Sequence, residues 1–570
     1  MRPFSIFVAF AIALGACAPS RTVVGGPASV PPPSDTRPST PVTPEPIPAA
    51  EPAEDAASAI PSAPERWWLL DPVTDGVYGT GVDRAYRELL AGKAPRDTIV
   101  VAIIDSGVDI EHEDLDDILW VNKGEIPGNG RDDDGNGYVD DVHGWNFIGG
   151  RDGRHVHQDT YEVTRLYARY RHRFEGANPD TFSASVREEY ERYREVEAAF
   201  RAKREENARM LQQIRMMDQA VDRFTAVLKA HLGVDSLSAE RVAAIRSPRS
   251  DIIQAQQVYL QLAANGISPE MIDEELKRLE ELEEYGLNPD FDPRPIVGDN
   301  YDDPTERIYG NPDVEGPSAD HGTHVSGIVA AERENGIGID GIAPAVRIMV
   351  IRAVPDGDER DKDVANAIRY AVDNGARIIN MSFGKSFSPE KRAVDDAVRY
   401  ADEKGVLMVH AAGNDGADLG TEPNYPNRWY LDGGSARLWI EVGASSWEGP
   451  DRLAAPFSNY GREKVDVFAP GAAILSTVPG SRYQANSGTS MAAPVVTGIA
   501  ALLMSYFPEL SAEEVRRIIL ESATRYPDQW VLRPGSDGEK VRFGDLSVTG
   551  GIVNAYEAVR MAEEVVRRKR

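Results

Sequence analysis

Four short stretches of this 570-residue chain hold side chains that could do covalent chemistry together. Asp105 sits in V-A-I-I-D-S-G-V, His321 opens H-G-T-H-V-S-G, Asn414 lies in H-A-A-G-N-D-G and Ser490 lies in G-T-S-M-A-A-P. A hydroxyl is a weak nucleophile at neutral pH and needs a base beside it, so a carboxylate, an imidazole and a hydroxyl are the parts of an activated oxygen nucleophile. Each stretch also has a plainer structural reading. A strand-terminal Asp caps the next turn, a His beside Gly is a turn residue, and G-N-D-G is an ordinary loop. Ser490, ahead of an apolar run, reads as a helix N-cap with Pro494 in the first turn, where a missing N–H costs little. A fifth stretch, N-G-R-D-D-D-G-N-G-Y-V-D-D, carries Asp132, Asp134 and Asn136 at alternate positions, followed by Gly137, Tyr138 and Asp140. That is the spacing of the first nine positions of a calcium loop: side-chain ligands at 1, 3 and 5, a turning glycine at 6 and a backbone carbonyl at 7. His143 stands where an EF-hand has its bidentate Glu, so the expectation is a calcium loop outside an EF-hand.

These residues depend on the elements around them. The run T-I-V-V-A-I-I ends at Asp105, and further strand-like runs occupy 347–354, 377–383, 405–412, 438–444 and 465–469. Helical patterns separate several of them. One runs from Asp363 to Asn374 and stops at Gly375; another has Ser388 as N-cap, Pro389 at the first helical position and Gly405 just past its end. Near-continuous apolar strands alternating with helices predict an α/β fold with a mainly parallel sheet covered on both faces. In such sheets functional residues gather at the carboxyl ends of strands. The texture changes over 154–295. Ser185 and Glu188 are spaced as a capping box, and apolar residues recur at helical spacing from Val186 to Phe200 and from Leu211 to Leu228, before Gly233. This predicts one helix of about 45 residues, followed by shorter helices, one capped by Ser268-Pro269 and closed by Gly286. The segment reads as an all-α insertion.

Taken together, and in the order Asp, His, Ser, the boxes resemble those of the subtilisin-like serine peptidases, the subtilase or peptidase S8 family. The resemblance covers about 67–150 and 301–558, including the late G-G-I-V-N-A-Y-E-A-V. It implies a three-layer α/β/α subtilisin-like fold and an endopeptidase that hydrolyses peptide bonds of proteins through an acyl-enzyme. On that resemblance Ser490 is the nucleophile and His321 its base, while Asp105 fixes the imidazole tautomer. The Ser490 N–H and the Asn414 side chain would hold the oxyanion. His324, one helical turn past His321, reads as structural. A substrate strand would pair with Ser382-Phe383-Gly384, with Gly413 in the same substrate-binding set. Lys385 stands where the family usually has a second glycine, which leaves the preference for the residue before the scissile bond open. Asp114, nine residues after Asp105, matches a family calcium ligand. Its companion loop would be Glu332–Ile339 with Asn335, one residue longer than the common form. Both calcium sites would be structural, and no organic cofactor is expected.

Composition narrows the surroundings. Sixty-two basic against 92 acidic residues give −30, which argues against nucleic acid or an anionic membrane surface as partner. The only cysteine is Cys17, so neither a disulfide nor a cysteine metal site is expected. Arg2, an apolar run from Phe4 to Leu14 and then L-G-A-C resemble a bacterial lipoprotein signal, implying export, cleavage before Cys17 and its lipidation. Ala18 after the cysteine points to the outer membrane in a two-membrane cell. No later run approaches the ~20 apolar residues of a spanning helix. The expected organisation is a signal at 1–17, a Pro/Ala/Ser-rich tether at 18–65, a catalytic domain in two parts, 66–153 and 296–570, and the helical insertion at 154–295. The insertion leaves and rejoins the body between Asp105 and His321, as a surface for a partner or a restriction on substrates. A monomer acting on proteins or peptides is expected. The competing reading is a catalytically silent peptide-binding lipoprotein on the same fold; an altered triad residue would favour it, and all three are present.

Overall fold

The computed structural model describes residues 63–570. The expected signal at 1–17 and the tether through residue 62 lie outside them. Seven strands carry the centre of the fold: β1 (Ile99–Asp105), β2 (Gly144–Asn146), β3 (Val346–Arg352), β4 (Ile378–Met381), β5 (Leu407–Ala411), β6 (Trp439–Ser445) and β7 (Val467–Pro470). With two short strands, Thr524–Arg525 and Gly551–Ile552, they form a nine-stranded sheet. Its order is Thr524–Arg525, Gly551–Ile552, β7, β6, β5, β4, β1, β3, β2. Every pairing is parallel except that between the two short strands at the edge.

The strands read as near-continuous apolar runs because both faces are buried. Val101 and Ile103 of β1, with Ile348 and Val350 of β3, enter one core layer. The alternate residues Ala102, Ile104, Met349 and Ile351 enter the other, as the period of two requires. Helices Asp320–Ala330, Thr489–Tyr506, Ala512–Glu521 and Ala555–Lys569 cover the first face; Asp361–Asp373 and Lys391–Glu403 cover the second. The expected α/β/α architecture is therefore the one the chain adopts. Thr489–Tyr506 is long and apolar enough to cross a membrane, but it is almost wholly buried as the central helix of the first layer. A hairpin missed in the sequence, β8 (Ile474–Val478) with β9 (Arg482–Asn486), clasps the Asp320–Ala330 helix. Ser476 and Thr477 hydroxyls donate to the carbonyls of His324 and Thr323, at 2.7 and 2.8 Å.

Two expected helix starts move. The long helix spans Ala184–Leu232, so Ser185 is inside it and the box with Glu188 does not form. Ser183, two residues earlier, accepts the Val186 N–H instead. The helix expected from Ser388 begins at Lys391. Asp361 takes both the Ser388 hydroxyl and the Glu390 N–H, which removes the groups that the cap would have used.

By compactness the described chain divides inside the expected insertion. One unit comprises Ala63–Ala208 with Glu281–Arg570, and the other Arg209–Glu280. In the first, Tyr167, Phe174, Tyr193 and Phe200 form a buried cluster in which Phe200 stacks on Tyr167 at 4.3 Å. In the second, Leu211, Ile214, Met217 and Val221 of the long helix pack on Val258, Leu262, Ile272 and Leu279.

Candidate active site

Asp105 is the last residue of β1 and is 2% exposed. Its Oδ1 accepts from His321 Nδ1 at 2.7 Å and from the Ser106 N–H at 2.8 Å. His321 stands in the first turn of its helix, which reaches the end of β1 because Gly322 lacks a side chain. A Cβ there would lie 2.1 Å from the Gly107 carbonyl oxygen. Burial would lower the His321 pKa, but the charge and hydrogen bond of Asp105 outweigh it and raise the imidazole above the ordinary histidine value. In register beside Asp105, the buried Arg352 donates its Nε–H to the Ser106 carbonyl at 2.7 Å and braces the turn.

Ser490 is the second residue of helix Thr489–Tyr506, and the N-cap is Gly488. Pro494 consequently lies in the second turn, not the first. There it lacks the N–H that would have bonded the Ser490 carbonyl four residues back. That freed carbonyl accepts from Ser382 Oγ at 2.9 Å. The Ser490 hydroxyl donates in turn to the Ser382 carbonyl at 3.0 Å, so it rests against the segment leaving β4 instead of against His321.

Asn414, just past β5, accepts through Oδ1 from the Thr489 N–H at 2.8 Å and the Thr489 hydroxyl at 3.0 Å. This fixes the amide so that Nδ2 faces away from Thr489. A Cβ built on Gly488 would lie 3.5 Å from Asn414 Nδ2 and 3.6 Å from the Ser490 nitrogen. Two N–H donors thus border one small space beside Ser490, the arrangement that a developing oxyanion requires. Sequence reasoning missed two residues that hold this geometry. Thr489 Oγ1 also accepts from the Gly413 N–H at 3.0 Å, and its place inside G-T-S was the available signal. Asn459 accepts from the N–H groups of Asp415 and Ala417 and donates to the Ala412 carbonyl, and no spacing links it to Asn414.

Ser382-Phe383-Gly384 leaves β4 without joining a strand, and Gly384 is exposed. A side chain at Gly384 would meet Asn424 at 2.4 Å. Phe383 packs on the second core layer. Lys385 exchanges backbone hydrogen bonds with Tyr425, 2.9 Å in each direction, and its side chain is buried in ion pairs with Glu162 and Asp361. His324 is buried and donates from Nε2 to the Gln484 carbonyl at 3.0 Å; burial pushes its pKa down to about 4, so it is a neutral link to the hairpin.

The acidic loop folds as a chain of turns. Asp132 accepts from the N–H groups of Gly135, Asn136 and Gly137, and Asp140 from those of Asn129 and Gly130. The carboxylates that converge within 4.8 Å of one another are Glu125, Asp134 and Asp141. Glu125 lies outside the alternating pattern, and Asp141 is one step out of its register. Asn136 Nδ2 donates to Asp134 and Asp141, while the Tyr138 ring is buried against Trp145 and Tyr370. Burial pushes the Asp141 carboxyl up to about 6, against hydrogen bonds from Tyr370, Asn122 and Asn136. At the other expected site Asp114 is 1% exposed; Asn335 Nδ2 donates to it at 2.7 Å and the Ile339 N–H at 3.1 Å.

Known proteins are similar to this chain. A thermophilic serine proteinase of Bacillus sp. strain AK1 is 44% identical over 220 residues, 38% of this chain and 49% of its own length, so the chain spans about half of that relative. Thermitase of Thermoactinomyces vulgaris is 38% identical over 42% of this chain and 75% of its own. An intracellular serine protease of Paenibacillus polymyxa is 35% identical over 53% and 90%. Residues 96–544 match the peptidase S8 family, described as the subtilase family. With Asp105, His321 and Ser490 all inside that span, the chain belongs to the subtilase family of serine peptidases.

Proposed function

We propose that this protein is an exported serine endopeptidase, anchored by lipid on Cys17, that hydrolyses peptide bonds of proteins through an acyl-enzyme. The observation that carries the reading is the 2.7 Å Asp105–His321 hydrogen bond at the strand end that faces the Ser490 helix. With Nδ1–H held by Asp105, Nε2 is the basic nitrogen. In this reading the Ser490 hydroxyl turns from the Ser382 carbonyl toward that nitrogen. Attack on the scissile carbonyl forms the C–O bond and passes the proton to Nε2, while the oxyanion is received by Asn414 Nδ2–H and the Ser490 N–H. His321 then protonates the leaving amine as the C–N bond breaks, and water repeats the sequence on the acyl-enzyme. The substrate lies extended along Ser382-Phe383-Gly384. Labelling of the folded protein by a fluorophosphonate, lost in Ser490→Ala, supports the reading. A folded protein that does not label belongs to the silent peptide-binding alternative.

Asn414→Ala is expected to lower kcat by about 10²–10³ with little change in KM, the scale for losing one such donor in a subtilisin. Steady-state kinetics on a peptide check this, and turnover near wild type removes Asn414 from the oxyanion site.

The same reading includes structural calcium. Glu125, Asp134 and Asp141 in one place, and the buried Asp114 carboxylate in the other, offer hard oxygen donors of the kind calcium takes; Asn335, whose amide N–H now donates to Asp114, would have to turn its oxygen inward. Bound there, the ion would neutralise crowded carboxylates and tie loops to the body. Calcium at 100 times its Kd is expected to stabilise the fold by about 2.7 kcal/mol per site. Calorimetry with and without a chelator reads the shift, and Asp141→Asn should abolish part of it. An unchanged Tm on chelation overturns the assignment.

The anchor on Cys17 and the tether would keep a monomeric enzyme at the cell envelope, at the outer membrane where there are two. Its partners would be protein or peptide substrates, with the helical insertion offering a docking surface.

A further inference from the structure

The residue after the substrate segment is held by the insertion. The Lys385 side chain is 2% exposed, and its ammonium has three partners: Glu162 Oε2 at 2.9 Å, Asp361 Oδ1 at 2.8 Å and the Glu359 carbonyl at 2.8 Å. Burial alone would lower the Lys385 pKa, yet Asp361 and Glu162 hold it above the ordinary lysine value. Asp361 and Glu359 belong to the catalytic body, next to β3. Glu162 comes from the segment expected as the insertion: it opens helix Glu162–Phe174, which packs in the same compact unit as the body. Burial would raise the Glu162 carboxyl, but Arg165 and Lys385 outweigh it and keep it ionised well below the usual carboxylate range.

Glu162 is itself fixed from the body. Its N–H donates to Asp358 Oδ2 at 2.8 Å, and Arg165 bridges Glu162 to the carbonyls of Asp358 and Glu359. Arg360 grips Asp159 with two hydrogen bonds of 2.7 and 3.0 Å. The backbones interlock as well: Asp356 donates to the His157 carbonyl and accepts from the Asp159 N–H. Gly357 lies so close to this segment that a Cβ would sit 2.2 Å from the Asp159 carbonyl oxygen. Asp159, Glu162, Arg165, Arg360, Asp361 and Lys385 are therefore one largely buried, charge-paired block that begins at the residue after Gly384.

We propose that Glu162, acting through Lys385, is a positioning residue for peptide substrates. The helix that opens the insertion adds a side-chain anchor to the end of Ser382-Phe383-Gly384, whose backbone the Lys385–Tyr425 pair already holds, and a second glycine would lack that anchor. This rests on the endopeptidase reading above. A buried ion pair broken on one side leaves the other charge uncompensated, so Lys385 must shift toward Asp361 or water when Glu162 is neutralised. Because Lys385 is bonded directly to Gly384, that shift would strain the Lys385–Tyr425 backbone pair and reach the substrate segment.

The test compares wild type, Glu162→Gln and Glu162→Asp on two reagents. One is a peptide of six residues that spans the segment; the other is a small fluorophosphonate that needs only Ser490, His321 and the oxyanion donors. Glu162→Gln is expected to raise KM for the peptide by about tenfold, within the ~10²-fold that a 1 Å misplacement can cost. Its kcat and its labelling rate should stay near wild type, and Glu162→Asp should recover part of the KM. An unchanged KM in folded Glu162→Gln overturns the proposal, and so does parallel loss of peptide turnover and labelling, which marks general collapse. If Glu162→Gln does not fold, the pair Glu162→Gln with Lys385→Gln removes both charges together, and an unchanged KM there overturns it equally. A wild type that neither labels nor cleaves overturns the endopeptidase reading, and this inference with it; a wild type that does both confines failure to Glu162.

Discussion

Ser490→Ala is expected to reduce kcat by about 10⁶-fold, the scale on which a whole triad is lost when its nucleophile is removed. The effect is this large because the three groups act as a unit. Without the hydroxyl, His321 has no proton to accept, and the Asp105 hydrogen bond orients a base with nothing to activate. The fold should tolerate the change. Ser490 Oγ makes one hydrogen bond, to the Ser382 carbonyl, and the Ser382 hydroxyl still holds the Ser490 main chain. Tm and peptide KM should therefore stay close to wild type. A residual rate of about 10³–10⁴ over water should remain from the Asn414 amide, the Ser490 N–H and substrate binding. Active-site-titrated kinetics on Ser490→Ala and on Ser490→Ala/His321→Ala decide it: the double variant should be no slower than the single. A single variant that loses less than about 10²-fold would place the nucleophile elsewhere.

Asp105→Asn is expected to cost about 10⁴-fold in kcat with the site's shape intact. The substituted amide can present N–H to the imidazole, which turns His321 Nδ1 into the acceptor and places the proton on Nε2. That tautomer cannot receive the serine proton. The pH profile adds a second reading. In wild type the base form of His321 is needed, and Asp105 holds its pKa above the ordinary histidine value, so kcat/KM should rise with pH through a midpoint above about 6.5. In Asp105→Asn the charge is gone and burial, which lowers the pKa, is left in control. The acid limb should then move to lower pH. A midpoint that stays in place would mean that another group titrates.

The sequence read the sheet well because burial on both faces leaves a plain mark: near-continuous apolar runs that end at Ile104, Met381 and Ala411, with polar residues of the site at or just past their ends. The catalytic boxes were equally open, since each is local. Ser490 as a cap was the misleading local reading. Its helix begins one residue earlier, and Pro494 acts at long range by freeing a carbonyl for Ser382, which no pattern near Ser490 announces. In the acidic loop, alternation singled out Asp134, while Glu125 and Asp141, which chain folding brings beside it, carry no such mark. Lys385 looked like a departure in the groove, and only the partnership with Glu162, far upstream, shows where its charge goes.

The strand that ends at Asp105 has no neighbour close in sequence. β1 pairs with β3 and β4, so Ile99 has no partner until Val346 has been synthesised. At about 5–20 residues per second, that is a wait of more than ten seconds for a strand of bare apolar surface. Closing so long a loop adds little further entropy once the loop is long, but the non-local pairing slows the search. The Arg209–Glu280 unit, whose core partners all lie within that one segment, can collapse inside that interval. Nascent chains stalled before residue 346 should therefore show protected amides in 209–280 while β1 still exchanges freely.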